Sequence, residues 1–198
     1  MSKLRIAIII GSTRDARFGP KPAQWIFDLA QTRAELDVEL VDLKEFDLPF
    51  FNEKSSNLWA PSEDPKAIAW QKKIGEFDGY IVVTAEYNRS ITGALKNAFD
   101  QAYNEWNRKP IGFVGYGTVG AARAIEHART IATELQMVNL RTAVHIGGSE
   151  FYKVVPAAGN QPIPTIEEAI LPSANAMLDE LVWWGEATKA KRDQAGKV

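Results

Sequence analysis

The chain has 198 residues, with 23 Lys and Arg set against 25 Asp and Glu, a net charge of −2, two histidines and no cysteine. That balance leaves no overall basic field for nucleic-acid phosphates, and the missing cysteines exclude disulfides, thiolate catalysis and thiolate metal sites, so any redox chemistry falls to a bound cofactor. Hydrophobic residues make up 45% and no apolar run nears the ~18 residues of a membrane span, which predicts one soluble, cytoplasmic domain over residues 1–198.

In MSKLRIAIII the apolar run enters GSTR without a small-residue cleavage site, so residues 4–10 read as a first strand and not as a signal sequence. Further runs rich in Ile and Val cover 38–43, 80–84, 111–114 and 140–146. They are apolar on consecutive positions, as in parallel strands covered on both faces. Between them lie stripes at spacings of three and four: Ile26, Leu29, Ala30 and Arg33; Ala67, Trp70, Ile74 and Phe77; Leu95, Ala98, Phe99 and Ala102; Ile125, Ala128, Ile131, Ala132 and Leu135. Each stripe makes one apolar helical face. The alternation predicts an α/β protein, a doubly wound three-layer sandwich on five parallel strands.

A last helical region runs over 165–191, and Pro172 within it should interrupt the helix or begin a new one. Met177, Leu178, Leu181 and Val182 face inward, whereas adjacent Trp183 and Trp184 cannot both do so. The basic stretch Lys189–Lys197 reads as a solvated, frayed helix end. Residues 44–65 and 147–165 read as long irregular loops of the kind that carry function.

Ligands of such sheets bind beyond the carboxyl ends of the strands, which points to three loops. After the first strand, GSTRDARFGPKP offers hydroxyls at Ser12 and Thr13, the Arg14 guanidinium and two prolines suited to a helix start, together a candidate phosphate cradle. It lacks the lysine of a GxxxxGK[ST] loop. After the third strand, TAEYNRSITG supplies the Tyr87 ring, the Asn88 amide and the Ser90 hydroxyl. After the fourth, GYGTVG fits GxGxxG but lies on the wrong strand for a dinucleotide fingerprint, with no acid on the next strand until Glu150.

GSTR with Phe-Gly-Pro, EYNRSITGALKNAFD and GYGTVGAAR, in that order at these loops, closely resemble the NADPH-dependent FMN reductase family of flavodoxin-like proteins, which includes quinone, chromate and azo-dye reductases. The resemblance covers residues 4 to 150. It implies the flavodoxin-like strand order 2-1-3-4-5, noncovalent FMN, NADPH or NADH as donor, and ping-pong transfer to a small-molecule acceptor. It implies further that Ser12, Arg14 and the backbone at Phe18 and Gly19 hold the FMN phosphate. Arg17 then supplies a second cation or faces solvent. Glu86, Tyr87, Asn88 and Ser90 border the isoalloxazine and ribityl chain. Gly115 and Gly117 let the backbone approach the flavin, with Tyr116 lining it and Gly120 allowing close helix packing. The helix with Lys96, Asn97 and Asp100 contributes to a homodimer, or a dimer of dimers.

Hydride transfer between stacked rings needs no side-chain nucleophile or base, so no catalytic or metal-ligating residue is expected. The alternatives are a one-electron carrier like flavodoxin, which uses the same fold without nicotinamide turnover but is typically acidic with a hydroxyl-rich phosphate loop, and a flavin-sensing interaction protein using Trp59, Trp183 or Trp184. Ser149 in HIGGSEF stands outside a GxSxG elbow, and no sequence feature ties His127 or His145 to a serine.

Overall fold

The computed structural model describes residues 3–195; Met1 and Ser2 at the start, and Gly196 to Val198 with the end of the basic stretch, lie outside the described residues. Strands β1 (Leu4–Ile10), β2 (Leu36–Asp42), β3 (Gly79–Ala85) and β4 (Pro110–Tyr116) alternate with helices α1 (Pro20–Gln31), α2 (Pro65–Gly75), α3 (Gly93–Asp100) and α4 (Ala122–Glu134). They are followed by β5 (Val138–Asn139), β6 (Val144–Ile146), α5 (Gly148–Val154) and α6 (Glu167–Ala195). Every pairing is parallel, in the order β2-β1-β3-β4-β5, with β6 also on β4. The sheet has the order expected of a flavodoxin-like protein.

Alternation along the strands divides the core. Ile6 and Ile8 pack with Ile26, Met177 and Leu181 under α1 and α6, whereas Ala7 and Ile9 pack with Trp70, Phe99 and Ile125 under α2, α3 and α4. Strands β3 and β4 are buried along their whole length, which is why their sequences are apolar on both faces. Local signals set the helix starts. The Asp64 carboxylate accepts from the Lys66 and Ala67 amides ahead of α2, and the Thr92 hydroxyl accepts from Leu95 N ahead of α3.

Four expectations need correction. The last strand is not one run over 140–146 but two short pieces, because Arg129 donates to the Leu140 and Arg141 carbonyls while Glu180 accepts from the Thr142 amide and hydroxyl. Those side chains take the backbone groups a continuous ladder would use. Residues 147–165 are not a loop throughout, since α5 occupies much of them. Pro172 neither interrupts nor begins a helix; it lies inside α6, held through that point by Ile170, Ala174, Met177 and Leu178, all buried on the sheet. Up to Ala195 the basic stretch is helical and anchored, Lys189 and Arg192 both reaching Asp78 at 2.9 and 3.0 Å.

Candidate functional site

The carboxyl ends of β1, β3 and β4 lie side by side, with Ala85 paired to Tyr116 and the Gly11 amide donating to the Val83 carbonyl. The Thr92 hydroxyl donates to the Gly11 carbonyl and fixes the first loop against the third. Between these loops and α5 lies a cleft of about 500 Å³. Its walls include Arg14, Phe18, Tyr87, Tyr116, Gly117 and Phe151.

The first loop is rich in donors. Among the described residues, the backbone N–H groups of Ser12, Thr13, Arg14, Asp15 and Ala16 have no acceptor within the chain. The helix behind them adds little of this kind, because Pro20 and Pro22 have no N–H and Lys21 N already donates to Phe18 O. Arg14 is exposed, donates from Nε to the Tyr87 hydroxyl at 2.7 Å, and has no carboxylate within 4 Å among the described residues. Gly19 makes the loop compact: a Cβ there would lie 2.7 Å from Ser12 Oγ and 3.0 Å from Tyr116 Oη. Ser12 is buried and accepts from Tyr116 Oη at 3.1 Å. Burial pushes the Tyr116 phenol up, partly countered by that contact, so it stays protonated at neutral pH.

The third loop is a tight turn. Tyr87 and Ser90 exchange backbone hydrogen bonds, with Asn88 at φ 50° and Arg89 at φ 69°, the geometry of a type I′ turn. The Ser90 hydroxyl meets His127 Nδ1 at 2.6 Å, which fastens the turn to α4. Glu86 borders the cleft, but its carboxylate points to the start of α4, where Arg123 donates from Nε at 2.6 Å and from its backbone N at 3.2 Å. Burial pushes this carboxyl up, yet the Arg123 guanidinium and the Ala124 amide outweigh it and hold it below the usual range. Glu86 is therefore an ionised, neutralised cap.

Six of the residues singled out from the sequence line the cleft: Arg14, Phe18, Glu86, Tyr87, Tyr116 and Gly117. Ser12 and Gly19 stand directly behind them. Arg17 neither faces solvent nor enters the lining; its guanidinium is 13% exposed and bound by both Asp42 oxygens at 2.6 and 2.5 Å. Asn88 and Ser90 belong to the turn and not to the lining. Gly115 lies beneath α4, where a Cβ would meet Ala121 and Ile125 at 2.7 Å, and Gly120 packs on His145 of β6 rather than on a helix. Sequence reasoning missed Phe151, Val155, Pro156 and Ala157, which complete the cleft, and Arg123, present in the quoted GAAR but given no role.

Does this donor set fit a flavin mononucleotide? A phosphate needs donors and positive charge, met by five free amides beside Arg14. A flat heterocycle needs apolar faces, met by Phe18, Tyr87 and Tyr116, and Gly117 at φ 148° brings bare backbone to the rim. The residues present fit the group. Among the described residues no three His, Asp or Glu side chains come together as a metal site, and no helix is long and apolar enough to cross a membrane.

A five-position parallel sheet of this order, with a donor-rich loop after β1 and an aromatic cleft beside it, defines a flavodoxin-like protein. The family model described as NADPH-dependent FMN reductase matches residues 4–150, and the chain belongs to that family of oxidoreductases. An NAD(P)H-dependent FMN reductase of Nectria sp is 36% identical over 126 residues, covering 61% of this chain and 63% of its own length. A 2-hydroxy-1,4-benzoquinone reductase of Burkholderia sp is 33% identical over 143 residues, covering 68% and 73%. The solved flavoenzyme NAD(P)H:(acceptor) oxidoreductase of Paracoccus denitrificans superposes with a TM-score of 0.69 at 28% identity, covering 93% of this chain and 98% of that one.

Proposed function

We propose that the protein binds FMN in the cleft between the three loops and passes electrons from NADPH or NADH to a small acceptor in ping-pong fashion. The observation that carries this reading is the junction of five acceptorless amides and the carboxylate-free Arg14 with an aromatic cleft at one end of the sheet. When bound, FMN supplies the chemistry, accepting a hydride from reduced nicotinamide and returning the electrons to the acceptor. The chain's own residues bind and orient. The first loop holds the phosphate. Tyr87, fixed by Arg14 and by the turn, covers one side of the ring system. Gly117 gives the ring edge a backbone approach, and the Glu86–Arg123 pair holds the start of α4 in place. No side chain in the cleft is needed to take up or release a proton during hydride transfer.

Quinones, azo compounds, metal oxyanions and free flavin are all candidate acceptors. Two copies associate across α3, whose exposed edge carries the Lys96–Asp100 pair at 2.6 Å. Asn97 supports this face from within, donating to Pro49 O at 2.8 Å and accepting from Phe51 N at 3.0 Å.

The test uses purified protein loaded with FMN. Bound-flavin absorbance should survive desalting, bleach anaerobically with NADPH or NADH, and return on adding a quinone, while the protein sediments as a dimer or a dimer of dimers. Loss of all FMN on desalting, or bound FMN that neither nicotinamide bleaches, overturns the enzymatic reading; a monomer overturns the association.

A further inference from the structure

The family match ends at residue 150, yet one wall of the cleft is built beyond it, by Phe151, Val155, Pro156 and Ala157. Phe151 belongs to α5 and stands edge-on to Phe18, the ring centroids 6.1 Å apart at 81°. The segment after α5 is folded and pinned. Gly159 N donates to Tyr152 O, Gln161 N to Lys153 O and Asn160 N to Val155 O, while Lys21 Nζ of α1 donates to Asn160 Oδ1 at 2.8 Å. The wall is thus a built part of the cleft, tied to the helix that follows the phosphate loop.

Its chemistry is one-sided. The four side chains carry no charge and no hydrogen-bonding group. Elsewhere in the lining, Glu86 is neutralised by Arg123, and Arg14 is the cation assigned to the phosphate. Just outside, Lys153 is answered by Glu150 at 3.1 Å and Arg17 by Asp42. A hydrated oxyanion at this wall would give up water and meet no cation among the lining side chains but Arg14, a cost that an uncharged flat ring does not incur.

We propose that Phe151, Val155, Pro156 and Ala157 form the acceptor-selecting wall, admitting flat uncharged rings such as quinones and rejecting metal oxyanions. This rests on the cleft being the FMN site. Each turnover would take a hydride from the nicotinamide and one proton from solvent, so that a quinone gains two electrons and two protons and leaves as the hydroquinone. The wall takes part in no bond change and acts by position alone.

Ala157 is exposed, so Ala157→Lys tests the wall with little risk to the fold. On FMN-loaded, prereduced protein, the oxidative half-reaction is followed with 1,4-benzoquinone and with chromate. The wild type should react much faster with the quinone, and Ala157→Lys should lower the quinone-to-chromate rate ratio by about tenfold or more. Phe151→Ala should slow the quinone without helping chromate. Calorimetric titration of the oxidised protein with sulfate, a redox-inert oxyanion, gives a second readout, and binding should be measurable only in Ala157→Lys. An unchanged ratio in a variant that retains FMN, or a wild type that prefers chromate, overturns the wall. Failure of the wild type to retain FMN or to be reduced by either nicotinamide overturns instead the reading on which it rests.

Discussion

Lys109 is a cation the cleft does not use. Its side chain is buried at the amino end of β4, far along the sheet from the loops around the cleft, and donates to Tyr80 Oη at 3.1 Å and Gly75 O at 3.3 Å. Burial first, then the nearby Arg192, bring its ammonium down from the ordinary 10.5 to about 8. Because the folded value is the lower one, the unfolded chain holds more protons between pH 8 and 10.5. This residue therefore makes stability rise with pH across that window, and below pH 8 the folded state bears the full cost of a buried charge. The gap, 10.5 less about 8 at 1.36 kcal/mol per pH unit, amounts to about 3 kcal/mol. In Lys109→Met that burden is gone. Urea unfolding should show the variant's stability relative to wild type highest near pH 7 and falling by about 3 kcal/mol toward pH 10.5. A difference that stays flat with pH would mean that burial does not lower the Lys109 ammonium in the folded protein.

Among the elements, α6 departs furthest from its local sequence. Pro172 cannot donate to the Glu168 carbonyl, and its ring crowds that turn, yet Ile170 before it and Ala174 and Met177 after it are buried on one face. Packing along the helix outweighs the local penalty. Replacing Pro172 with Ala should then raise the unfolding free energy by about 1–2 kcal/mol, the helix gain being partly offset by a looser unfolded chain; thermal unfolding checks this, and a destabilised variant would show that the proline is itself a packing element. The same competition explains what could be read in advance. Strands β1, β3 and β4 were legible because burial on both faces forces unbroken apolar runs, and the donor-rich loop after β1 because its glycine, hydroxyls and arginine stand together in sequence. The break in the last strand was not, since it depends on Arg129 and Glu180, far apart in the chain and meeting only in the fold. The commitment of Arg17 was hidden for the same reason, its partner Asp42 lying at the end of another strand. The acceptor wall carries no motif at all. Its residues are small or apolar, and only their position beside Phe18 and Tyr116 makes them part of a site.

For the whole molecule, the loops around the cleft connect elements otherwise held by different parts of the core. The first loop joins β1 to α1 on one face of the sheet, while the third and fourth lead from β3 and β4 to α3 and α4 on the other. A ligand bridging them stabilises only the assembled fold, so its binding free energy appears as folding free energy. At FMN one hundred times its dissociation constant the gain is about 2.7 kcal/mol. For a chain of this length, at about 2–4 °C per kcal/mol, the melting temperature should rise by roughly 5–11 °C. Arg14→Ala removes a charge-assisted contact worth about 1.5–3 kcal/mol, and because Arg14 is exposed the FMN-free variant should melt close to wild type. At the same FMN concentration its ligand-induced rise should fall to half or less, since a tenfold weaker affinity alone leaves only about 1.4 kcal/mol of the 2.7. Differential scanning calorimetry of both proteins across an FMN titration separates the outcomes. Equal rises in the two would remove Arg14 from the phosphate site, whereas a lower melting temperature in the FMN-free variant would make its bond to Tyr87 a support of the fold.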